Sequence, residues 1–487
     1  MLHYFWNIYT ISALWLLYAI TIISCIVVVL SENRNPIRSL AWVIALIFLP
    51  GIGLVFYLFF GRSLRGRTMI SRRNKRKLFR SQQQRHALKE HDLTDAEQQM
   101  VKLTHKVARY PYTLNNHAEI FTDGRKKFDA LKADLRKAQK SILLQYYIFQ
   151  DDKLGNEIAD VLIAKAREGV EVKVIYDHVG SFSASNKFFA RMKEAGVETH
   201  PFFRVTFPQL ANRVNWRNHR KIVIIDDRIG YIGGMNIADR YVGPSGEKAW
   251  VRHGKSMPVW RDTHLRLKGD IVESLRYSFS IDWNFMKDDV LLPGAKEETE
   301  ATEINETGMQ LITSGPTDSW DNLELIFLKA IAGASKCVYI QTPYFLPTDS
   351  LLTALEAAAL ANVDVRIMMP AKSDSRMLGY ASFSYITQCL KAGIKIYLFT
   401  PGMLHSKVMI IDDSFVTTGS VNFDFRSFEN NFEGNVLIFD KAINRQMKDI
   451  FFADLEYCRK INLSLWRTRP RLKRSLESIL RLLAPIL

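Results

Sequence analysis

Two stretches of this chain are versions of one another, which limits the folds open to it more than any other feature. NHRKIVIIDDRIGYIGGMN runs from Asn218 to Asn236, and LHSKVMIIDDSFVTTGSVN from Leu404 to Asn422. Each holds His-x-Lys, four apolar or β-branched residues, Asp-Asp, a second strand-like run, a Gly-Gly or Gly-Ser pair, and Asn two positions on. The flanks match too. KSILLQYYIF (Lys140 to Phe149) has its counterpart in KCVYIQTPYFLP (Lys336 to Pro347), and GVEVKVIYD (Gly169 to Asp177) in NVDVRIMMP (Asn362 to Pro370). A repeat on this scale means one unit built twice. Helical stretches rich in Ala and Leu alternate with β-branched runs, which predicts βαβ units on a mostly parallel, buried sheet. The expected fold class is α/β: two tandem α/β/α domains related by a pseudo-two-fold axis, preceded by a membrane hairpin.

The motif itself suggests chemistry. Alternation along KIVII and KVMII reads as a strand, and Asp-Asp as a tight turn into the next strand. Side chains alternate along a strand, so His219 shares a face with Lys221, and His405 with Lys407. An imidazole and an ammonium aimed at one point suit a phosphoryl group: one attacks or donates a proton, the other neutralises oxygen charge. Asp226 and Asp412 are read as holding the turn rather than carrying protons.

The N-terminus points to a bilayer. Ile11 to Leu30 and Leu40 to Phe60 contain no charged residue. Each is about 20 residues, the length that crosses a hydrocarbon core as a helix. Pro50, Gly51 and Gly53 interrupt the second run, which predicts a kink or a shallower re-entrant element. A cleaved signal peptide fits the first run poorly, because it lacks a basic leader and a small-residue cleavage site. Arg62, Arg65, Arg67, Arg72, Arg73, Lys75, Arg76, Lys77 and Arg80 follow with no acid among them. The positive-inside tendency puts this stretch and everything after it in the cytoplasm. A formal net charge of +16 over 487 residues calls for polyanionic partners, either nucleic acid or an anionic membrane. The four cysteines, Cys25, Cys337, Cys389 and Cys458, are too scattered for a disulfide framework or a structural zinc.

The expected organisation is a two-helix anchor over 1–62, a basic linker region over 63–110, a first catalytic half over 111–291, an acidic linker over 292–307, a second half over 308–465 and a basic, amphipathic tail over 466–487. That tail reads either as an element in the membrane interface or as packing against the body. Arg213, Arg217 and Arg220 lie where anionic headgroups would arrive. Tyr146, Tyr147, Phe149, Tyr344 and Phe345 are read as core, with an acyl-chain entrance as the alternative.

The two motifs resemble the signature of the phospholipase D superfamily, His-x-Lys-x4-Asp followed by Gly-Gly/Ser and Asn. Within it the chain is similar to the bacterial membrane cardiolipin synthases. The apolar hairpin ending YLFFGR, YDHVGS (Tyr176 to Ser181), WRDTHLRLKG (Trp260 to Gly269), Asp282-Trp283, QTPYFLP (Gln341 to Pro347) and NFDFRSFENNFE (Asn422 to Glu433) carry that likeness along essentially the whole chain. The resemblance implies a catalytic set of His219, Lys221, Asp226, His405, Lys407 and Asp412, with Asn236, Asn422, Glu433 and Asp262 on the substrate side. Glu433 and Asp262 are the expected partners for the far nitrogen of each histidine. It further implies a phosphohistidine on His219, acid/base work by His405 (the two are interchangeable at this level), phosphatidylglycerol and anionic lipids as partners, no cofactor or metal, and a multi-pass place in the bacterial inner membrane. Two rivals stay open: a phospholipase D-type phosphodiesterase releasing phosphatidic acid, and a non-enzymatic membrane scaffold. A nuclease is disfavoured, because the strongest basic run abuts an apolar span and no aromatic-basic single-strand tract is present.

Overall fold

The computed structural model describes residues 2–31, 36–49, 51–61, 93–205, 215–243, 250–252, 255–257, 259–287 and 307–484, with positions 65, 69, 71, 74 and 291. Most of the basic run after the apolar segments, Arg213 and nearly all of the acidic linker lie outside them. The chain forms two compact units, one of Met1–Leu64 with Val205–Asn215 and one of Arg65–Arg204 with Trp216–Leu487.

The first unit opens with one long helix, Leu2–Ser31. Its segment Tyr9–Val27 is, among the described residues, the one long and apolar enough to cross a bilayer. The second apolar run is not a continuous span. It forms a helix over Pro36–Phe48, breaks, and resumes as the short helix Ile52–Phe56 and a wider turn over Tyr57–Gly61. The break is where glycine makes it possible. Gly51 has φ 77, and a Cβ on Gly53 would stand 2.3 Å from the Ala45 carbonyl oxygen, so the chain bends there more tightly than a side chain permits. The second apolar run thus has the interrupted form predicted at its glycines, and the described residues hold one helix of spanning length.

The second unit contains the duplicated body. In the first half the strands are β1 (Asn116–Phe121), β2 (Ser141–Tyr146), β3 (Glu171–Asp177), β4 (Glu198–Phe202), β5 (Ile222–Ile225), β6 (Ile229–Gly233) and β7 (His264–Gly269). They lie in the order β1-β7-β6-β5-β2-β3-β4. The second half repeats this with β8 (Gly308–Ser314), β9 (Cys337–Gln341), β10 (Asp364–Pro370), β11 (Lys395–Phe399), β12 (Val408–Ile411), β13 (Phe415–Gly419) and β14 (Glu433–Phe439), in the order β8-β14-β13-β12-β9-β10-β11. Each sheet is mixed rather than mostly parallel. Only β2-β3-β4 and β9-β10-β11 run parallel. The Asp-Asp turn is the reason: it joins β5 to β6 and β12 to β13 as hairpins, and a three-residue connection is too short for the crossover that parallel pairing needs.

Helices cover the sheets, and each half has its own apolar core. Ile142, Leu144, Val174, Val223 and Ile225 line one; Ile340, Ile367, Ile396, Met409 and Ile411 line the other. The halves do not divide at residue 111. The helix Asp95–Ala108, started by a capping box of Thr94 and Glu97, buries Met100 and Val101 in the second core. Tyr112–Thr113 then pairs with β8 before the chain enters the first sheet.

Candidate active site

The motif histidines precede β5 and β12, and both line one cavity of about 250 Å³. Each is held by the opposite half. The His219 amide donates to the Phe432 carbonyl at 2.9 Å, and the Phe432 amide donates to the Arg217 carbonyl at 2.8 Å. This tie delivers the next residue, Glu433, to the imidazole, with both carboxylate oxygens 3.0 Å from Nδ1. The second half mirrors it. The His405 amide donates to the Arg261 carbonyl at 2.7 Å, the strand Val259–Arg261 pairs in parallel with Gly402–Leu404, and the next residue, Asp262, sits 2.6 Å from His405 Nδ1. A carboxylate on Nδ1 fixes that nitrogen as the donor and leaves Nε2 for chemistry. Neither half contains a complete histidine–carboxylate pair by itself.

Glu433 and Asp262 are fully buried and touch the imidazoles rather than the cavity. Their place among the substrate-side residues is corrected to that of positioning groups. Burial opposes ionisation of Glu433, yet His219, Lys221 and Ser420 outweigh it and hold the carboxyl below its usual range. Burial likewise opposes ionisation of Asp262, and Lys407 and His405 reverse the balance. The imidazoles shift the other way. Burial pushes His219 down to about 4 against the pull of Glu433, with Lys221 adding to the fall. His405 also falls to about 4, through burial and Lys407. Lys221 and Lys407 are buried as well, and desolvation lowers both ammonium groups. Their Nζ atoms donate to the carbonyls of His219 and His405. Burial thus disfavours the charged form of both lysines and both imidazoles, and a nearby anion would favour it.

Asp226 and Asp412 are not in this cavity. Each sits at positive φ (52 and 47), at the far end of a strand that rises roughly 3.3 Å per residue. Asp226 accepts from the amides of Gln139, Lys140 and Ser141 at 2.7 to 2.9 Å. Asp412 accepts from those of Ser335, Lys336 and Cys337 over the same range. Both pin the start of the neighbouring strand, so their inclusion in the implied catalytic set is corrected to a structural role.

Asn236 and Asn422 do line the cavity. Asn236 accepts from the Ile148 amide at 3.1 Å and donates to the Tyr241 hydroxyl at 2.7 Å. The arginine patch separates: Arg217 lines the cavity and pairs with Asp177, whereas Arg220 turns away to Asp282 at 2.7 Å and to the Glu433 carbonyl. Of the aromatics, Tyr147 and Tyr344 line the cavity while Tyr146, Phe149 and Phe345 are core.

Several wall residues lie outside the two His-x-Lys motifs. Tyr147 packs edge-on against His219 at 4.9 Å. Trp260 and Tyr241 pack against His405 at 5.0 and 5.7 Å. Arg240, Arg426, Asp374, Asp424, Asn431, Ile148 and Leu378 complete the wall, and Asp374 accepts from the Tyr344 hydroxyl at 2.6 Å. Trp260 in WRDTH, Tyr147 in YYIF and Arg426 in NFDFRSF stand in segments that carry the family likeness, whereas Tyr241, Arg240 and Asp374 have no such signal.

The geometry agrees with comparison to known proteins. The family described as cardiolipin synthase, PLD-like domain matches residues 131–262 and 327–455, one match for each half. This chain belongs to that family. A second model, phospholipase D-nuclease N-terminal, matches residues 14–62. Cardiolipin synthase 2 of Bacillus anthracis is 38% identical over 96% of this chain and 90% of its own length. The major cardiolipin synthase ClsA of Bacillus subtilis is 37% identical over 97% of this chain and 98% of its own. Among solved structures, the phosphatidylserine synthase of Haemophilus influenzae superposes with a TM-score of 0.61 over 80% of this chain and all of its own, at 14% identity. That likeness concerns the fold, and it shows the paired halves persisting where little sequence is shared.

Proposed function

We propose that this protein is a cardiolipin synthase that moves a phosphatidyl group from one phosphatidylglycerol to another, releasing glycerol, through a phosphohistidine on His219. The observation that carries the reading is that two imidazoles, each on a carboxylate from the other half, line one cavity.

His219 Nε2 attacks phosphorus, the bond to the glycerol oxygen breaks, and a proton from His405 Nε2 goes to that oxygen. The hydroxyl of a second phosphatidylglycerol then gives its proton to His405 and attacks phosphorus, breaking the P–N bond and restoring His219. One phosphodiester replaces another, so the exchange needs no nucleotide drive. Lys221, Lys407, Asn236 and Asn422 would take up charge on the phosphoryl oxygens, the two asparagines from the cavity wall itself. The nucleophile's role is assigned to His219 by likeness to the superfamily. Arg217 and Arg426 lie on its side of the cavity. Arg240 and Asp374 lie on the other side, where the Asp374 charge favours a protonated His405 against burial and Lys407. An incoming phosphate anion would raise both imidazoles from about 4 toward working pH.

The apolar helix at Tyr9–Val27 supports a membrane-bound enzyme in the bacterial inner membrane, and the basic run after Gly61 supports a catalytic body on the cytoplasmic side. The test is product analysis with purified full-length protein and headgroup-labelled phosphatidylglycerol. Cardiolipin and free glycerol in equal amounts are expected; phosphatidic acid as the main product would replace synthesis with hydrolysis.

A further inference from the structure

The C-terminal helix Arg471–Leu482 packs along the helix Arg376–Lys391. One stripe is fully accounted for. Leu480 is buried, Glu477 is buried with its carboxylate on Arg469 at 2.6 Å, and the Arg481 guanidinium lies 4.0 Å over the Tyr385 ring. A second stripe is uncovered. Leu472, Leu476 and Ile479 recur at i, i+4 and i+7 with exposures of 84, 42 and 59%, and Leu482 beside them is 80% exposed. A helix facing water on that side would present polar residues there.

Charge identifies the occupant. The helix's one acid is Glu477, already paired with Arg469, while Arg471, Lys473, Arg474 and Arg481 are all cationic. An apolar stripe flanked by arginine and lysine is the composition that settles in the boundary between headgroups and acyl chains of an anionic bilayer. Two copies meeting through this face would bring like charges together. The location is informative as well. Lys473 lies near Tyr380, and Arg481 reaches Tyr385 and Gln388, so the two helices run in the same direction. The neighbour begins at Arg376, where Met377 is 45% exposed and Leu378 lines the catalytic cavity.

We propose that the C-terminal helix docks on an anionic lipid surface and brings the cavity mouth at Leu378 against it, so that lipid enters without its acyl chains crossing water. The second clause rests on the phospholipid-transfer reading; the docking itself does not. Full-length protein is reconstituted in nanodiscs of phosphatidylglycerol and phosphatidylcholine with brominated acyl chains. It carries an environment-sensitive fluorophore at Ile479→Cys or at Ser478→Cys, on a background in which the four native cysteines are serine. Position 479 is expected to blue-shift and be quenched by the brominated chains, 478 far less, and both effects should weaken in pure phosphatidylcholine. A second arm needs no label: L472E with I479E should lower turnover on bilayer substrate about 10-fold while leaving turnover on detergent-dispersed substrate unchanged. Absence of quenching at 479, quenching indifferent to lipid charge, cross-links between two copies through 479, or an unchanged bilayer-to-detergent ratio would each overturn the docking. Protein that makes no cardiolipin yet shows quenching at 479 would instead refute the catalytic reading alone.

Discussion

The two halves share a strand order and a motif, yet the walls they build around their histidines differ. His219 has Tyr147, Arg217 and Arg426 on its side, while His405 has Trp260, Tyr241, Arg240 and Asp374. The difference continues behind the imidazoles. In the second half the Ser420 hydroxyl donates to Glu433. At the matching place in the first half stands Gly234, where a Cβ would lie 2.2 Å from an Asp262 oxygen, and the Thr263 amide supplies a donor at 2.7 Å. Duplication thus preserved the scaffold, while the residues around each imidazole diverged.

The largest effects should come from the histidines. His219→Ala and His405→Ala are each expected to lower turnover by roughly 10³-fold or more. Only the His405→Ala protein should retain label from phosphatidylglycerol as an acid-labile phosphohistidine. Adduct in the His219→Ala protein instead would reverse the assignment. Next come the carboxylates. Glu433→Gln and Asp262→Asn should each cost on the order of 10²- to 10⁴-fold in kcat with little change in KM, because the imidazole loses its tautomer and aim rather than its contact with lipid; an effect confined to KM would mean they bind substrate directly.

The glycine–serine exchange sharpens the comparison further. Ser420→Gly removes one hydrogen bond to a charged group, about 1.5–3 kcal/mol, and should slow turnover on the order of 10-fold. Gly234→Ser forces Asp262 aside and should cost more. Equal losses would show that the two sites tolerate volume alike.

Protonation should test what the halves have in common. Both imidazoles fall in the folded protein to about 4, so the unfolded chain binds protons that the native one refuses as pH drops below the ordinary histidine value. Stability should therefore decline between about pH 6.5 and 4, and thermal melts of a His219→Gln/His405→Gln protein should show a flatter decline over that window. The smallest and most symmetrical effect is expected from Asp226→Asn and Asp412→Asn, each lowering the melting temperature by a few degrees while leaving the pH dependence of turnover in place.

Much of this was legible beforehand. The duplication announced two equivalent sheets, and the alternation of KIVII and KVMII placed each histidine beside its lysine, because strand periodicity is local. The Asp-Asp turns are readable as tight turns between strands, and the hairpins they make at β5–β6 and β12–β13 render the sheets mixed. The interruption at Gly51 and Gly53 was visible as well, but its outcome depended on how closely the backbone folds back on Ala45.

What sequence alone determined were the features that depend on near neighbours: the repeated units, the motif strands, the turn aspartates and one apolar helix of spanning length. Which carboxylate serves which imidazole was decided only in three dimensions. His219 and Glu433 are 214 positions apart, His405 and Asp262 143, and they meet because Phe432 and Arg261 hydrogen-bond across the boundary between the halves. The same holds for the cavity wall, where Tyr147, Trp260 and Asp374 acquire chemical meaning only when packing of two separate cores aims them at one volume.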